Sequence, residues 1–328
     1  MNEMTNTIFL PLLSAALQLS LILGLSPLIN ILLKKWKAQS QGRQGPPWLQ
    51  GYYDLLKYFR KETVISEQAS WLFLLTPLVV FASVCAAGLL VPTMIAQNTL
   101  PGVGGLIVFV YLLGLGRFFM ASAAMEPGSG FCGMASSREM MLSTLVEPVI
   151  LLALFVVILM AGTTDLYSAQ RQLSALGLHL YSPAYLLAMV ALFIASIAEM
   201  GRVPFDNPET HYELTMIHEG MLLDYSGQPL GLMLWAAWSK QLIILSLLAN
   251  LLFPWGLAAQ PTAPALVIAL ICYLAKLLGV CLCVAIVEIT VAKMRLFRVK
   301  DILGASFIIA IIALIFAAQQ MNGTGGTP

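Results

Sequence analysis

Charge is what this sequence has least of. Asp, Glu, Lys and Arg make up only 10% of its 328 residues, 59% are hydrophobic, and the mean hydropathy is +0.86. Soluble domains carry about 25% charged residues, so this composition excludes a soluble globule and describes an integral membrane protein. A net charge of +1 leaves no basic footprint for nucleic acid. The five cysteines (Cys85, Cys132, Cys272, Cys281, Cys283) form no CxxC pair and mostly lie in apolar runs. They read as packing residues, neither a disulfide framework nor cluster ligands. No Ser-His-Asp set, phosphate loop or dinucleotide fingerprint is present, and GVGG at Gly102–Gly105 lacks the strand such a fingerprint needs. No internal repeat or low-complexity segment stands out. The N-terminus has no basic n-region, and its first apolar run is too long for a signal peptide, so it reads as a retained anchor.

What is there is a series of long apolar runs. Crossing about 30 Å of hydrocarbon takes a helix of about 20 residues. Runs of that order occur at Ile8–Leu33, Trp71–Ala96, Leu106–Met125, Met140–Ala161, Pro183–Met200, Gly231–Phe253, Pro264–Ala292 and, shorter, Ile302–Ala318. They are continuous rather than alternating, which excludes a barrel and predicts an all-α protein of eight transmembrane helices in one polytopic domain, 1–328. Lys34, Lys35, Lys37, Arg43, Lys57, Arg60, Lys61, Arg138, Arg202, Lys293, Arg295, Arg298 and Lys300 follow helices one, three, five and seven, against Arg171 alone on the opposite side. The positive-inside rule then puts both termini outward and leaves two long cytoplasmic loops, 34–70 and 201–230. In the first, WLQGYYDLLKYFRKE predicts an amphipathic helix in the interface, anchored in lipid or docked on a partner. The outward interval from Thr163 to Ser182 has room for a short helix.

The second loop concentrates what charge there is. Six of the sixteen acidic residues (Glu199, Asp206, Glu209, Glu213, Glu219, Asp224) and two of the three histidines (His211, His218) fall between Glu199 and Gly227. Asn207 and Pro208 make a helix start near Pro208, which stacks Glu209 on Glu213. Crowded carboxylates at a bilayer edge hold and pass protons near neutral pH. Arg117, Glu147, Lys240, Lys276 and Glu288 fall inside the apolar runs, where charges must pair, point inward or line a wetted path. Pro148 removes a helix hydrogen bond beside Glu147 and opens room for water. Buried ion pairs that only fix helix register are the competing reading. His211-x-Glu213 and the adjacent His218 and Glu219 lack the spacing of a bundle metal site, so no metal is expected.

Three stretches, GRQGPPWLQGYYDLLKYFRKE, MASSREMMLSTLVEP and AEMGRVPFDNPETHYEL followed by DYSG, together resemble the subunit-one family of respiratory complex I, which includes relatives in membrane-bound [NiFe] hydrogenases such as formate hydrogenlyase and the energy-converting hydrogenases. The resemblance implies a membrane foot for a soluble electron-transfer arm. It implies that Glu147 and Glu199 match acids of a proton path, and that Asp206, Glu209 and Glu213 match acids of the cytoplasmic loop. Asp224 then matches the acid before Tyr-Ser-Gly, and Arg43 with Gly45-Pro46-Pro47 the first-loop signature. THYELTMIHE looks like the hydrogenase side of the family: its segment from Glu213 to Asp224 is longer than in quinone-reducing members, and His211 stands where they often carry an acid.

The expected function is therefore a non-catalytic anchor and coupling subunit of a [NiFe] hydrogenase complex in a prokaryotic cytoplasmic membrane. Its proton or ion path would run through Glu147, Glu199, Asp206, Glu209, Glu213 and Glu288. Partner docking would use Arg43, Arg202, His211, His218, Glu219 and Asp224. The expected partners are the [NiFe] large and small subunits, iron–sulfur subunits and antiporter-like membrane subunits; Ni-Fe and iron–sulfur clusters would sit on those subunits and none on this chain. Two alternatives stay open: a quinone-chamber subunit of an NADH:quinone oxidoreductase, and a stand-alone secondary transporter, for which no inverted repeat is found.

Overall fold

The computed structural model describes residues 2–94, 105–207, 216–258 and 263–324, leaving aside the side chains of 2–13, 178, 263, 296, 297 and 321–324. It is all-helical, and among the described residues no strand forms. In chain order the helices are α1 (Asn2–Ser40), α2 (Gln50–Arg60), α3 (Trp71–Leu90), α4 (Leu106–Met125), α5 (Gly130–Ala161), α6 (Leu166–Leu176), α7 (Pro183–Glu199), α8 (Gly227–Leu252), α9 (Ala263–Thr290) and α10 (Leu296–Thr324). Single 3₁₀ turns stand at Gly177–Leu180 and Glu219–Leu222.

Seven of these helices are long and apolar enough to cross a membrane. The eighth expected span, α7, has 17 residues, about 26 Å at 1.5 Å per residue. Two boundaries differ in a way that matters for function. α5 starts at Gly130 instead of Met140, so Arg138, assigned to a loop, lies on a helix of 32 residues, about 48 Å long. Its first turns are polar, and a hydropathy window does not register them. α1 likewise runs on to Ser40 and carries Lys34, Lys35 and Lys37. The helix expected from Pro208 falls outside the described residues.

α7 and α8 form the middle of the bundle. α7 presents Ala184, Ala188, Ala191, Ala195 and Ala198 at alternating spacings of four and three, each at most 2% exposed. Such a stripe of small residues lets helices approach closely without any hydrophobic drive in lipid. α5 and α10 pack on α7, and the facing side of α10 is small too, with Ser306, Ala310 and Ala313 fully buried. α8 contacts α1, α2, α3, α7 and α9 and is buried continuously from Ser239 to Leu251. α3 reaches α4 at Gly116, where a Cβ would stand 2.7 Å from Ser83 Oγ. That close approach seats the next residue, Arg117, in the interior.

Backbone contacts define two ends of the bundle. At one end Gly105 bridges to Asp165, Ala258 N–H donates to the Met94 carbonyl, and Tyr181 donates to the Leu252 carbonyl. At the other, Met294 N–H donates to the Pro204 carbonyl, and the Ser226 hydroxyl both accepts from Val64 N–H and donates to its carbonyl. This second end carries the basic residues and is called the basic end below. The Asp224-Tyr225-Ser226-Gly227 run is a structural clasp there. Tyr225 stacks on Phe73 with centroids 3.9 Å apart and donates to the Phe73 carbonyl, and Ser226 holds Val64. Gly227, at φ +55°, lies where a Cβ would meet the Glu62 carbonyl oxygen at 2.6 Å.

Candidate functional site

The interior charges gather on Arg117. Its Nη1 donates to Glu147 Oε1 at 2.8 Å, its Nη2 to both oxygens of Glu199, and its Nε lies 3.7 Å from Glu139. Lys240 Nζ completes the group, 3.0 Å from Glu199. α4, α5, α7 and α8 each supply a member, so the cluster exists only when all four pack. Three carboxylates against two cations leave one negative charge in excess. Binding one proton neutralises the set, which a low-dielectric interior favours.

Glu147 is the member that reaches the surface. Its side chain is 40% exposed, against 3% for Glu199 and 9% for Glu139. It opens on a cavity of about 680 Å³ between α4 and α5, walled by Tyr111, Leu115, Phe118, Met140 and Thr144, with Arg117 at its base. Pro148 follows immediately inside α5, as the sequence required.

A second group lies toward the basic end. Arg202 donates to Asn30 and Gln241 at 2.7 Å each and to Glu288 at 3.3 Å, while 8% exposed. An arginine expected at a docking surface is thus built into the core, bridging α1, α8 and α9. Asp206, 2% exposed, accepts from the backbone N–H groups of Asn207, Ile217 and His218 at 2.8, 3.0 and 3.0 Å, with Lys293 at 3.8 Å. Its carboxylate ties the two described edges of the 208–215 interval together.

The remaining expected site residues divide. Arg43 is exposed past the end of α1. Glu219 and His218 line a cavity of about 70 Å³ with Lys34, Arg202, Asp206 and Lys240, so His218, expected to dock a partner, turns inward. Burial and the Lys240 charge push its imidazole down to about 4, Arg117 acting the same way and Asp206 and Glu199 opposing. Asp224 is half-buried against the Cys132 thiol. Glu209, Glu213 and His211 lie outside the described residues. Among the described residues no group of three or more His, Cys, Asp or Glu is placed to hold a metal ion.

Sequence reasoning did not single out Glu139 and gave Arg117 and Lys240 no role on the path. The signal for Glu139 was its distance of eight residues from Glu147, near two helical turns, which becomes visible only once the helix is extended back to Gly130. Lys276, the other lysine within an apolar run, is partly exposed and donates to the Trp255 carbonyl away from both groups.

The NADH dehydrogenase family profile matches residues 13–319. The chain is 33% identical to formate hydrogenlyase subunit 4 of Escherichia coli K12 over 299 residues, 91% of this chain and 96% of that one. It is 34% identical to hydrogenase-4 component C of the same organism over 303 residues, 92% and 94% of the two chains. A chain of the membrane-bound sulfane sulfur reductase, an archaeal respiratory membrane complex, superimposes with a TM-score of 0.78 at 22% identity over 95% of this chain and 99% of that one, which establishes the shared fold.

Proposed function

Because this chain belongs to the NADH dehydrogenase family, that of complex I subunit 1, we propose that it is the membrane anchor and coupling subunit of a multisubunit [NiFe] hydrogenase complex of the formate hydrogenlyase kind. The observation that carries the reading is the interior cluster of Glu139, Glu147 and Glu199 around Arg117 and Lys240, with one negative charge in excess. A group that merely fixed helix register would be best balanced in charge; this one is balanced by a proton. The high coverage of two hydrogenase-type relatives and the THYELTMIHE loop support the hydrogenase branch.

In this reading the seven long apolar helices and the shorter α7 all span a prokaryotic cytoplasmic membrane, both termini face outward, and the basic end with loops 34–70 and 201–230 is cytoplasmic. The soluble arm docks there, on the exposed first loop around Arg43 and on the interval holding Glu209, His211 and Glu213. Electrons stay on Ni-Fe and iron–sulfur centres of the partner subunits. The chain itself contributes the path, with Glu147 at its lateral mouth, where an antiporter-like membrane subunit seats against the cavity between α4 and α5. A quinone-chamber role in an NADH:quinone oxidoreductase is the second reading, favoured by the family profile itself.

Tagging the chain, extracting it in mild detergent and identifying its companions separates the two. Co-purification with a [NiFe] large subunit and iron–sulfur subunits, with hydrogen evolution, is the expected result. Companions of the NADH-oxidising or quinone-reducing type would replace the hydrogenase reading by the second. A chain that purifies alone and moves a substrate across liposomes would replace both.

A further inference from the structure

Four cavities lie in sequence through the bundle, and consecutive ones share wall residues. The first is the cavity of about 70 Å³ at the basic end, bounded by Asp206, His218, Glu219 and Lys240. The second, about 20 Å³, lies against Gly116, Arg117, His218 and Lys240. The third, also about 20 Å³, is bounded by Arg117, Glu147, Ser196 and Glu199. The fourth is the lateral cavity at Glu147. A water needs roughly 10–15 Å³ of such space, so the first has room for several waters and each narrow one for one.

The partition between the first two cavities consists of His218, Lys240 and Ala237. Lys240 is committed to Glu199, and an ammonium has three donors and no acceptor. A neutral imidazole has one of each, on opposite sides of the ring. The backbone of His218 is fixed by the bond from its N–H to Asp206 Oδ2, and its Cβ lies close to Gly201. The ring itself makes no hydrogen bond with any described residue. A pinned backbone thus holds a donor–acceptor ring, without a hydrogen-bond partner among the described residues, in the wall between two spaces with room for water.

We propose that His218 is the proton relay at the basic end of the path, passing protons between water in the outer cavity and water beside Arg117. The inference rests on the coupling reading above. In the forward step a protonated outer water gives its proton to one ring nitrogen, and the other nitrogen releases its own to the inner water. The ring returns to neutrality as the opposite tautomer and resets by rotation, so one proton moves and no electrons do. Burial and Lys240 keep the ring neutral between transfers, against the pull of Asp206 and Glu199. A permanently protonated ring would place a third cation beside Lys240 and Arg117 and block entry.

The test uses the assembled complex in vesicles, with turnover driving proton movement and a pH-sensitive dye trapped inside. His218→Gln keeps a donor and an acceptor but cannot exchange a proton; coupled proton movement per assembled complex should fall about tenfold or more. His218→Ala should fall similarly and recover on adding millimolar imidazole, which a structural histidine would not do. Parent-like coupling in His218→Gln, or an Ala variant that imidazole fails to restore, overturns the relay. Glu147→Gln measured beside them separates the two claims: if it loses coupling while His218→Gln does not, the relay alone fails, and if neither loses coupling, the path fails with it.

Discussion

Arg117 determines whether three carboxylates can share one interior. It is 7% exposed, and the three carboxylates stand around its guanidinium. Removing one partner of a buried pair leaves an uncompensated charge and costs about 3–5 kcal/mol. Arg117→Ala should therefore lower the thermal midpoint of the detergent-extracted complex steeply. Glu147→Gln, at a side chain 40% exposed, should cost about 1 kcal/mol or less while it impairs coupling. Equal loss of stability in both variants would mean that Glu147 is a structural member of the pair. His218 supplies a pH signature. Its imidazole is pushed down to about 4 from the ordinary value of about 6.5, so the unfolded chain binds the proton more readily, and stability is full above about 6.5 and declines as pH falls toward 4. The slope is at most about 1.4 kcal/mol per pH unit. Melting curves between pH 7 and 5 should show a shallower acid loss in His218→Gln than in the parent. Glu147 and Glu199 were legible as carboxylates stranded among apolar residues. Glu139 was not, because its neighbours are polar and look like loop. Asp206 was legible as an acid but not as a clamp: that depends on where the backbone of Ile217 returns, which spacing does not encode.

At the scale of elements, α2 is the clearest case of a pattern that gave the helix without its partner. The period of WLQGYYDLLKYFRKE predicts an amphipathic helix, and one forms over Gln50–Arg60. Its buried face, Gly51 and Leu55, turns to the chain's own α1 and α8. Tyr52 donates to the Gly24 carbonyl of α1, a Cβ on Gly51 would touch Pro27 at 3.0 Å, and Phe59 meets Trp235 of α8 edge-on at 6.3 Å. Amphipathicity alone does not distinguish a lipid surface from a protein groove, since both are apolar. Trp48, Tyr53 and Leu56 remain more than half exposed, and they form the face left for lipid or a partner. Leu55→Ala should cost about 2–5 kcal/mol by cavity formation, read as a lowered midpoint of unfolding. Leu56→Ala should change stability by about 0.5 kcal/mol or less. If it instead reduces recovery of companion subunits on a tagged chain, the outer face of α2 is a docking surface. The DYSG run teaches the converse: it is a recognisable motif, yet its Tyr, Ser and Gly serve packing at the start of α8 rather than chemistry.

For the whole molecule, the short helix α7 decides the topology. At 17 residues, about 26 Å, it falls below the length of a free-standing span. It does not stand free, however: α5, α8 and α10 pack against it, leaving one face with Leu186 and Val190 about half exposed, and a helix held in this way by its neighbours need not match the bilayer thickness by itself. Tyr181, just before it, bonds to the end of α8, and Pro204, just after it, bonds to the link between α9 and α10 at the basic end. α7 therefore runs the length of the bundle. Parity follows: with α7 as a span there are eight crossings and both termini lie on one side, whereas seven crossings would put them on opposite sides. The charge distribution favours the first arrangement, because thirteen of the Lys and Arg residues then share the cytoplasmic side with only Arg171 opposite. Reporters that are active only outside the cytoplasm, fused separately at each terminus, should both be active, and a reporter inserted at Gln41, in the first loop, should be silent. Activity at one terminus alone would show that α7 does not cross, and the acidic stretch following Glu199 would then lie on the opposite side of the membrane from loop 34–70, which would remove the cytoplasmic entrance that the relay at His218 requires.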